Sequence, residues 1–221
     1  KSFNSIKSVY LKLQKLGVDR ESVIICFGGG VVGDVSGFIA STFMRGIKLI
    51  SIPTTLLSMV DSSIGGKNGI NSNYGKNTIG TFYNPEAIFI NSNYIKTLDQ
   101  RQLTSGLGEV IKYGIGFDKD LFKLVSNNLD KILGCNDFEF YNDIIEKCVK
   151  IKLNIIKNDM YDHHSRRLLN FGHTLGHALE KYFDFNYLLH GEAVLYGILF
   201  ASRLSNITGN LSKPALDCIM Q

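Results

Sequence analysis

The chain has 221 residues, of which 44% are hydrophobic and 20% charged, a globular balance without the like-charge blocks or low-complexity tracts of a disordered polymer. Lys and Arg outnumber Asp and Glu by 24 to 20, and this net charge of +4 is not gathered into a basic run, which argues against nucleic acid as a partner and for a small anionic ligand. Four cysteines (Cys26, Cys135, Cys148, Cys218) form no CxxC pair, no apolar stretch reaches the ~20 residues of a membrane span and no leader pattern opens the chain, so a disulfide scaffold, a thiolate zinc site, a membrane span and secretion are all disfavoured and a reducing, cytosolic setting is expected.

A chain of this length can bury one large core or two modest ones. Ile6, Val9, Tyr10, Leu13 and Leu16 recur at helical spacing within Asn4 to Leu16, and Val23 to Phe27 is a short apolar run that predicts a buried strand. That strand feeds Gly28-Gly29-Gly30, after which Val31 to Phe43 can be helical and Ile47 to Ile52 supplies a second strand ended by Pro53. The order is that of a βαβ unit with a parallel sheet. Gly65-Gly66 and Asn71 to Lys76 are expected to be turns and Ala87 to Ile90 a further strand. Strand signals stop from Asp99 onward. Helical patterns follow at Leu103 to Tyr113, Lys119 to Ile132, Tyr141 to Lys157, His173 to Phe183 and Gly191 to Ile207. The expected organisation is an α/β domain over 1–98 and a helical domain over 99–221, with a ligand cleft at their seam.

Gly28, Gly30 and Gly33 satisfy GxGxxG between a strand and a helix, where free backbone N–H groups and the helix dipole favour a pyrophosphate. The acidic residue that a full dinucleotide fingerprint wants about 20 positions later is missing; the region offers Lys48 and nothing acidic until Asp61. The bland alternative is a set of glycines that merely permits a tight turn.

Three of the five histidines stand in two tight patterns, Gly172-His-Thr-Leu-Gly-His-Ala178 and His190-Gly-Glu192. Spacing of four puts His173 and His177 on one helical face, and the glycine before each leaves room for a ligand or for backbone. Glu109 lies among small and apolar residues with Lys112 one turn later. It is either half of a simple surface Glu-Lys pair or a metal carboxylate. Two imidazoles and one carboxylate make a catalytic zinc set that leaves positions open for substrate oxygens. His163 and His164 have no such surroundings and are expected in a surface loop.

Seven motifs in order, Gly28-Gly-Gly-Val-Val-Gly-Asp34, Pro53-Thr-Thr-Leu-Leu57, Val60-Asp-Ser-Ser-Ile-Gly-Gly-Lys67, Gly75-Lys-Asn77, Glu109-Val-Ile-Lys112, Asn170-Phe-Gly-His173 and His190-Gly-Glu192, resemble those of the 3-dehydroquinate synthases within the sugar-phosphate cyclases. The resemblance implies an N-terminal α/β nucleotide-binding domain followed by an all-α metal-binding domain. It implies Glu109, His173 and His190 as ligands of zinc, or of cobalt in its place. Gly28, Gly29, Gly30, Asp34, Thr54, Thr55, Lys76 and Thr97 are implied as NAD contacts, with zinc and nicotinamide facing one cleft. Asp61, Lys67, Asn77, Lys112, Lys152, Arg166, Asn170 and His177 are implied as substrate-handling residues, and Arg45 as a residue lent across a homodimer to the neighbour's phosphate pocket.

The implied reaction converts 3-deoxy-arabino-heptulosonate 7-phosphate into 3-dehydroquinate and phosphate, on the route to aromatic amino acids. Another sugar-phosphate cyclase, a metal-dependent polyol dehydrogenase and a zinc-stabilised binding module are the rival readings. Asp162-His163-His164-Ser165 stands where the family usually has an acidic-glycine turn. Lys1 is not a natural start and Pro214 to Gln221 ends within a helical pattern, so a fragment is expected, lacking family contacts beyond both ends.

Overall fold

The computed structural model describes every residue except 73, 74, 135, 136, 161 and 221. Its residues pack into two compact units, Lys1–Ile95 and Lys96–Gln221.

In the first unit α1 (Phe3–Lys15) starts where the Ser2 side chain accepts the Ser5 N–H, and it buries Ile6 with Val9, Tyr10 and Leu13 packed beside it. Leu16, expected in the same stripe, is the C-cap residue and is exposed, because the helix ends there and Gly17 turns the chain at φ 69°. β1 (Val23–Gly28) leads through Gly29 into α2 (Gly30–Thr42), and β2 (Lys48–Pro53) returns parallel to β1 in the register Val23↔Lys48 to Gly28↔Pro53. β5 (Ala87–Ile88) adds to the other edge of β2, also parallel. This is the expected βαβ unit, but β1 is not the buried strand that its apolar run predicts: Val23, Ile25 and Phe27 are exposed and of its residues Cys26 alone is buried. Its core joins Ile6, Cys26, Phe38, Ile39, Phe43, Ile47 and Leu49, the Ile, Leu and Phe side chains each worth about 1.5–3 kcal/mol when fully buried.

A hairpin of β3 (Lys67–Ser72) and β4 (Gly75–Phe82) was not expected, and it replaces much of the turn assigned to Asn71 to Lys76, of which residues 73 and 74 lie outside the described residues. Both strands are polar and glycine-rich, so alternation is weak. Their pairing rests on the backbone ladder, on the Ile70↔Ile79 pair and on Asn68, whose Nδ2 donates to the carbonyls of Gly66 and Tyr83.

The second unit is helical, and among the described residues no strand follows Ile88. Asp99 caps α3 (Gln100–Phe117) by accepting the Gln102 N–H at 2.8 Å. The single helix expected over Lys119 to Ile132 divides into α4 (Lys119–Ser126) and α5 (Leu129–Leu133). Asn127 and Asn128 cause the break: Asn128 Nδ2 donates to the Leu124 carbonyl, offering the backbone a partner outside the helix. α6 (Phe138–Asn158), α7 (His173–Tyr182), α8 (His190–Ile207) and α9 (Lys213–Met220) complete the unit. Among the described residues no helix is long and apolar enough to cross a membrane, and Cys26, Cys148 and Cys218 are free thiols.

Candidate metal centre and its surroundings

Glycine backbone, not side-chain fit, sets the spacing of the helices that carry the charged residues. A Cβ on Gly191 of α8 would stand 1.7 Å from the Ser105 carbonyl oxygen of α3, and one on Gly108 of α3 would stand 2.4 Å from the Gly191 oxygen. Across the second contact, a Cβ on Gly197 would stand 1.8 Å from the Gly172 oxygen and one on Gly176 3.1 Å from the Ala193 oxygen. The glycines beside His173 and His177 therefore admit the backbone of α8. Gly172 also starts α7 in the left-handed region, at φ 81°, which favours glycine.

This packing brings Glu109, His173 and His190 together. Nε2 of each histidine lies 3.6 Å from the same oxygen, Oε1 of Glu109, and one ligand atom from each of the three falls within 4.8 Å of the others. Glu109 is fully buried and its Oε2 pairs with the Lys112 ammonium, itself only 1% exposed. The pair is thus an interior one, not the surface Glu-Lys pair that the sequence also allowed. His173 Nδ1 is 3.2 Å from the Phe171 carbonyl, which can only accept, so Nε2 carries the lone pair toward Glu109. Burial pulls the His173 pKa down to about 4, with Lys112 and His190 adding to the fall against Glu109. Burial works the same way on His190, but Glu109 and Glu180 outweigh it and raise the value to about 9. Two imidazole nitrogens converging on one buried carboxylate fit a divalent cation of borderline softness such as zinc.

The first unit holds the glycine-rich turn. A Cβ on Gly28 would meet Val32 at 2.8 Å, one on Gly29 the Thr55 methyl at 2.9 Å and one on Gly30 the Ser62 hydroxyl at 3.0 Å, so all three glycines answer to close neighbours. Gly33 differs: a Cβ there meets nothing within 4 Å. Gly29 caps α2 without a side-chain bond, leaving first-turn N–H groups available to an anion. Thr54 N–H donates to the Gly28 carbonyl, and Thr55 and Ser58 exchange hydrogen bonds that fix the start of the Ser58–Ser62 π-turn. Asp34 pairs with Lys1 and feels the charge of Lys76; burial, opposed by those two cations, raises its pKa.

Two family models cover the chain: one described as 3-dehydroquinate synthase N-terminal matches residues 1–105, and one described as 3-dehydroquinate synthase C-terminal matches residues 106–221. The chain belongs to the 3-dehydroquinate synthase family. It is 48% identical over 217 residues to the 3-dehydroquinate synthase of Dictyoglomus turgidum, covering 98% of this chain and 61% of that one. Against the 3-dehydroquinate synthase of Buchnera aphidicola it is 43% identical over 209 residues, covering 95% and 59%. The chain thus spans about 60% of the length of the curated relatives it matches. Among solved structures it resembles ValA, a 2-epi-5-epi-valiolone synthase of Streptomyces hygroscopicus solved with NAD+ and Zn2+ bound, at a TM-score of 0.93 and 30% identity over 98% of this chain and 61% of that one.

The second unit buries further cations outside the seven 3-dehydroquinate synthase motifs. Lys152 on α6 and Arg166 in the 3-10 turn Ser165–Asn170 are buried at 5% and 3% exposure, and α3 packs on both elements. Such cations are costly unless met by anions. His177 and Asn170 are exposed, and the His177 ring centroid is 5.3 Å from that of His173 and 5.8 Å from that of His190. Exposed Thr97 ends the 3-10 turn Ser92–Thr97, which buries Ser92 and Ile95. In the first unit Asp61 sits half-buried in the π-turn, Lys67 opens β3, Asn77 stands on β4 at φ 56°, and exposed Arg45 follows Met44 at φ 68°.

Two further acidic residues of the second unit carry structural links that sequence pattern alone does not show. Glu180, 2% exposed, places Oε2 3.3 Å from His190 Nδ1 and 3.9 Å from His177 Nε2; its position three residues after His177 was the available signal. Asp159 accepts the backbone N–H groups of His163, His164 and Arg166 at 2.9, 2.6 and 3.0 Å, which ties the exposed His163-His164 loop to the buried arginine. Glu192, by contrast, turns away from the trio: it accepts the Leu189 N–H and takes two hydrogen bonds of 2.8 Å from Arg101.

Proposed function

We propose that this chain forms part of a 3-dehydroquinate synthase that converts 3-deoxy-arabino-heptulosonate 7-phosphate into 3-dehydroquinate and phosphate, dependent on zinc and NAD. The observation that carries the reading is the convergence of His173 and His190 on buried Glu109 in a unit whose interior also holds Lys112, Lys152 and Arg166. Glu109, His173 and His190 would hold the metal, and Gly28, Gly29, Gly30, Asp34, Thr54, Thr55, Lys76 and Thr97 the dinucleotide. When bound, the two cofactors supply Lewis-acid polarisation of a substrate oxygen and a hydride acceptor that is regenerated.

The chain's own residues do the rest by charge and position. Lys112, Lys152 and Arg166 are suited to the carboxylate and phosphate of the substrate, because a buried cation is stabilised most by an anion that also excludes water. Lys67 adds a further cation, and Asp61 can accept from a substrate hydroxyl. Asn77 and Asn170 offer neutral hydrogen bonds that orient other hydroxyls. His177, exposed beside the trio, can exchange a proton with substrate or solvent, its Nε2 facing Glu180. Confinement of the ring-opened chain favours the intramolecular aldol closure. Arg45 we assign to the neighbour's phosphate pocket in a homodimer, a role suited to an exposed guanidinium on a short turn.

The higher identity to 3-dehydroquinate synthases than to ValA supports this substrate over a valiolone precursor. The test is phosphate release from the heptulosonate phosphate by the full-length protein, with nicotinamide absorbance followed in parallel. Turnover with catalytic NAD and no accumulating NADH is expected. Stoichiometric NADH would move the assignment to a polyol dehydrogenase, and no phosphate release would end it.

A further inference from the structure

We propose that Glu180 is a positioning residue that fixes the tautomer and direction of His190 at the metal centre. This rests on the metal reading given above. A carboxylate can only accept a hydrogen bond when ionised, so Oε2 of Glu180 at 3.3 Å places the ring proton of His190 on Nδ1. Nε2 is then the nitrogen left to shed its proton and offer a lone pair when a metal binds, and it is the atom that lies 3.6 Å from Glu109 Oε1. His173 reaches the same tautomer by a different route, through the Phe171 carbonyl. Both imidazoles are thus held by acceptors that cannot donate, one from the backbone and one from Glu180. A buried carboxylate behind an imidazole also raises its strength as a ligand.

The same residues outline a competing arrangement, since one ligand atom each from His177, Glu180 and His190 also falls within 4.8 Å of the others. A cation there would need the lone pair on His190 Nδ1. A neutral imidazole carries one lone-pair nitrogen, so the two trios compete for His190. The observations favour Glu180 as an orienting partner: it is 2% exposed, whereas the His177 side chain, which would have to complete the second trio, is 62% exposed.

The experiment is a zinc competition titration of full-length wild-type protein and Glu180→Gln, with circular dichroism as the check on folding. Gln keeps the volume but can donate as well as accept, so it releases the tautomer. A role in filling space alone leaves zinc affinity unchanged, whereas the positioning role predicts a loss of about 10–100-fold. A second measurement needs no variant: in the zinc-loaded wild type, histidine-selective 15N NMR should show His190 protonated at Nδ1 and ligated through Nε2. Ligation through Nδ1, equal zinc affinity in Glu180→Gln, or a second equivalent of zinc that His177→Ala abolishes would each overturn the proposal. Failure of the wild type to take up any zinc would instead overturn the metal centre itself.

Discussion

Gly191→Ala tests whether backbone contact between α3 and α8 builds the proposed metal centre. The added Cβ would lie 1.7 Å from the Ser105 carbonyl oxygen, whereas a carbon–oxygen contact requires about 3.3 Å, so the helices must part by roughly 1.6 Å. That displacement also breaks the 3.1 Å hydrogen bond from Gly191 N–H to Ser105 Oγ. Overpacking costs about 1–3 kcal/mol, and the rigid backbone on both sides puts this case at the upper end. At roughly 2–4 °C per kcal/mol, Tm should fall by about 6–12 °C. His190 is the adjacent residue, and ligand distances are held to about 0.2 Å, so zinc affinity should fall by about 10–100-fold. Thermal denaturation with a zinc competition titration measures both. Gly116→Ala, on the exposed last turn of α3, is the control: its Cβ meets nothing within 4 Å, and it should stabilise by up to about 1 kcal/mol. Wild-type Tm and zinc affinity in Gly191→Ala would refute the claim that this contact sets the ligand geometry.

Asp159→Asn should loosen the turn before Arg166, and its effect should depend on pH in a defined direction. Burial pushes the Asp159 pKa up, but the N–H groups of His163, Arg166 and His164 outweigh it and bring the value from 3.8 down to about 2. The stabilisation is therefore full above about pH 4 and is lost as pH falls toward about 2. The Tm gap between wild type and Asp159→Asn should close over that window, and a gap that widens on acidification would contradict the assignment. For Arg45, mixing full-length Arg45→Ala with full-length Glu109→Ala subunits should regain activity, because one site in each mixed dimer would join an intact metal trio to a donated arginine. No recovery in verified mixed dimers would return Arg45 to its own subunit.

What is legible in the sequence follows the range of the interactions involved. The β1–α2–β2 unit can be read because an apolar run, a glycine turn and a second apolar run are contiguous, and α3, α6, α7 and α8 because helical period is local. The β3–β4 hairpin escapes because its polar, glycine-rich strands carry almost no alternation, and the Asn127-Asn128 break escapes because two helices share one apolar pattern. Glu109, His173 and His190 were visible as residue types in suggestive settings, yet nothing local shows that they meet. Their meeting depends on Ser105 and Gly191, 86 positions apart, and on Gly172 against Gly197. The glycines beside the histidines could have meant a ligand or a neighbouring backbone, and only the packed helices decide for backbone. That result changes what the Gly-His pairs do: Gly172 and Gly176 set how far α8 stands from α7, as Gly108 and Gly191 set how far it stands from α3, and together they fix the distance across which two imidazoles face one carboxylate. Glu180 stayed hidden for the same reason, since its partner His190 begins a different helix and the link between them exists only after α7 and α8 have closed.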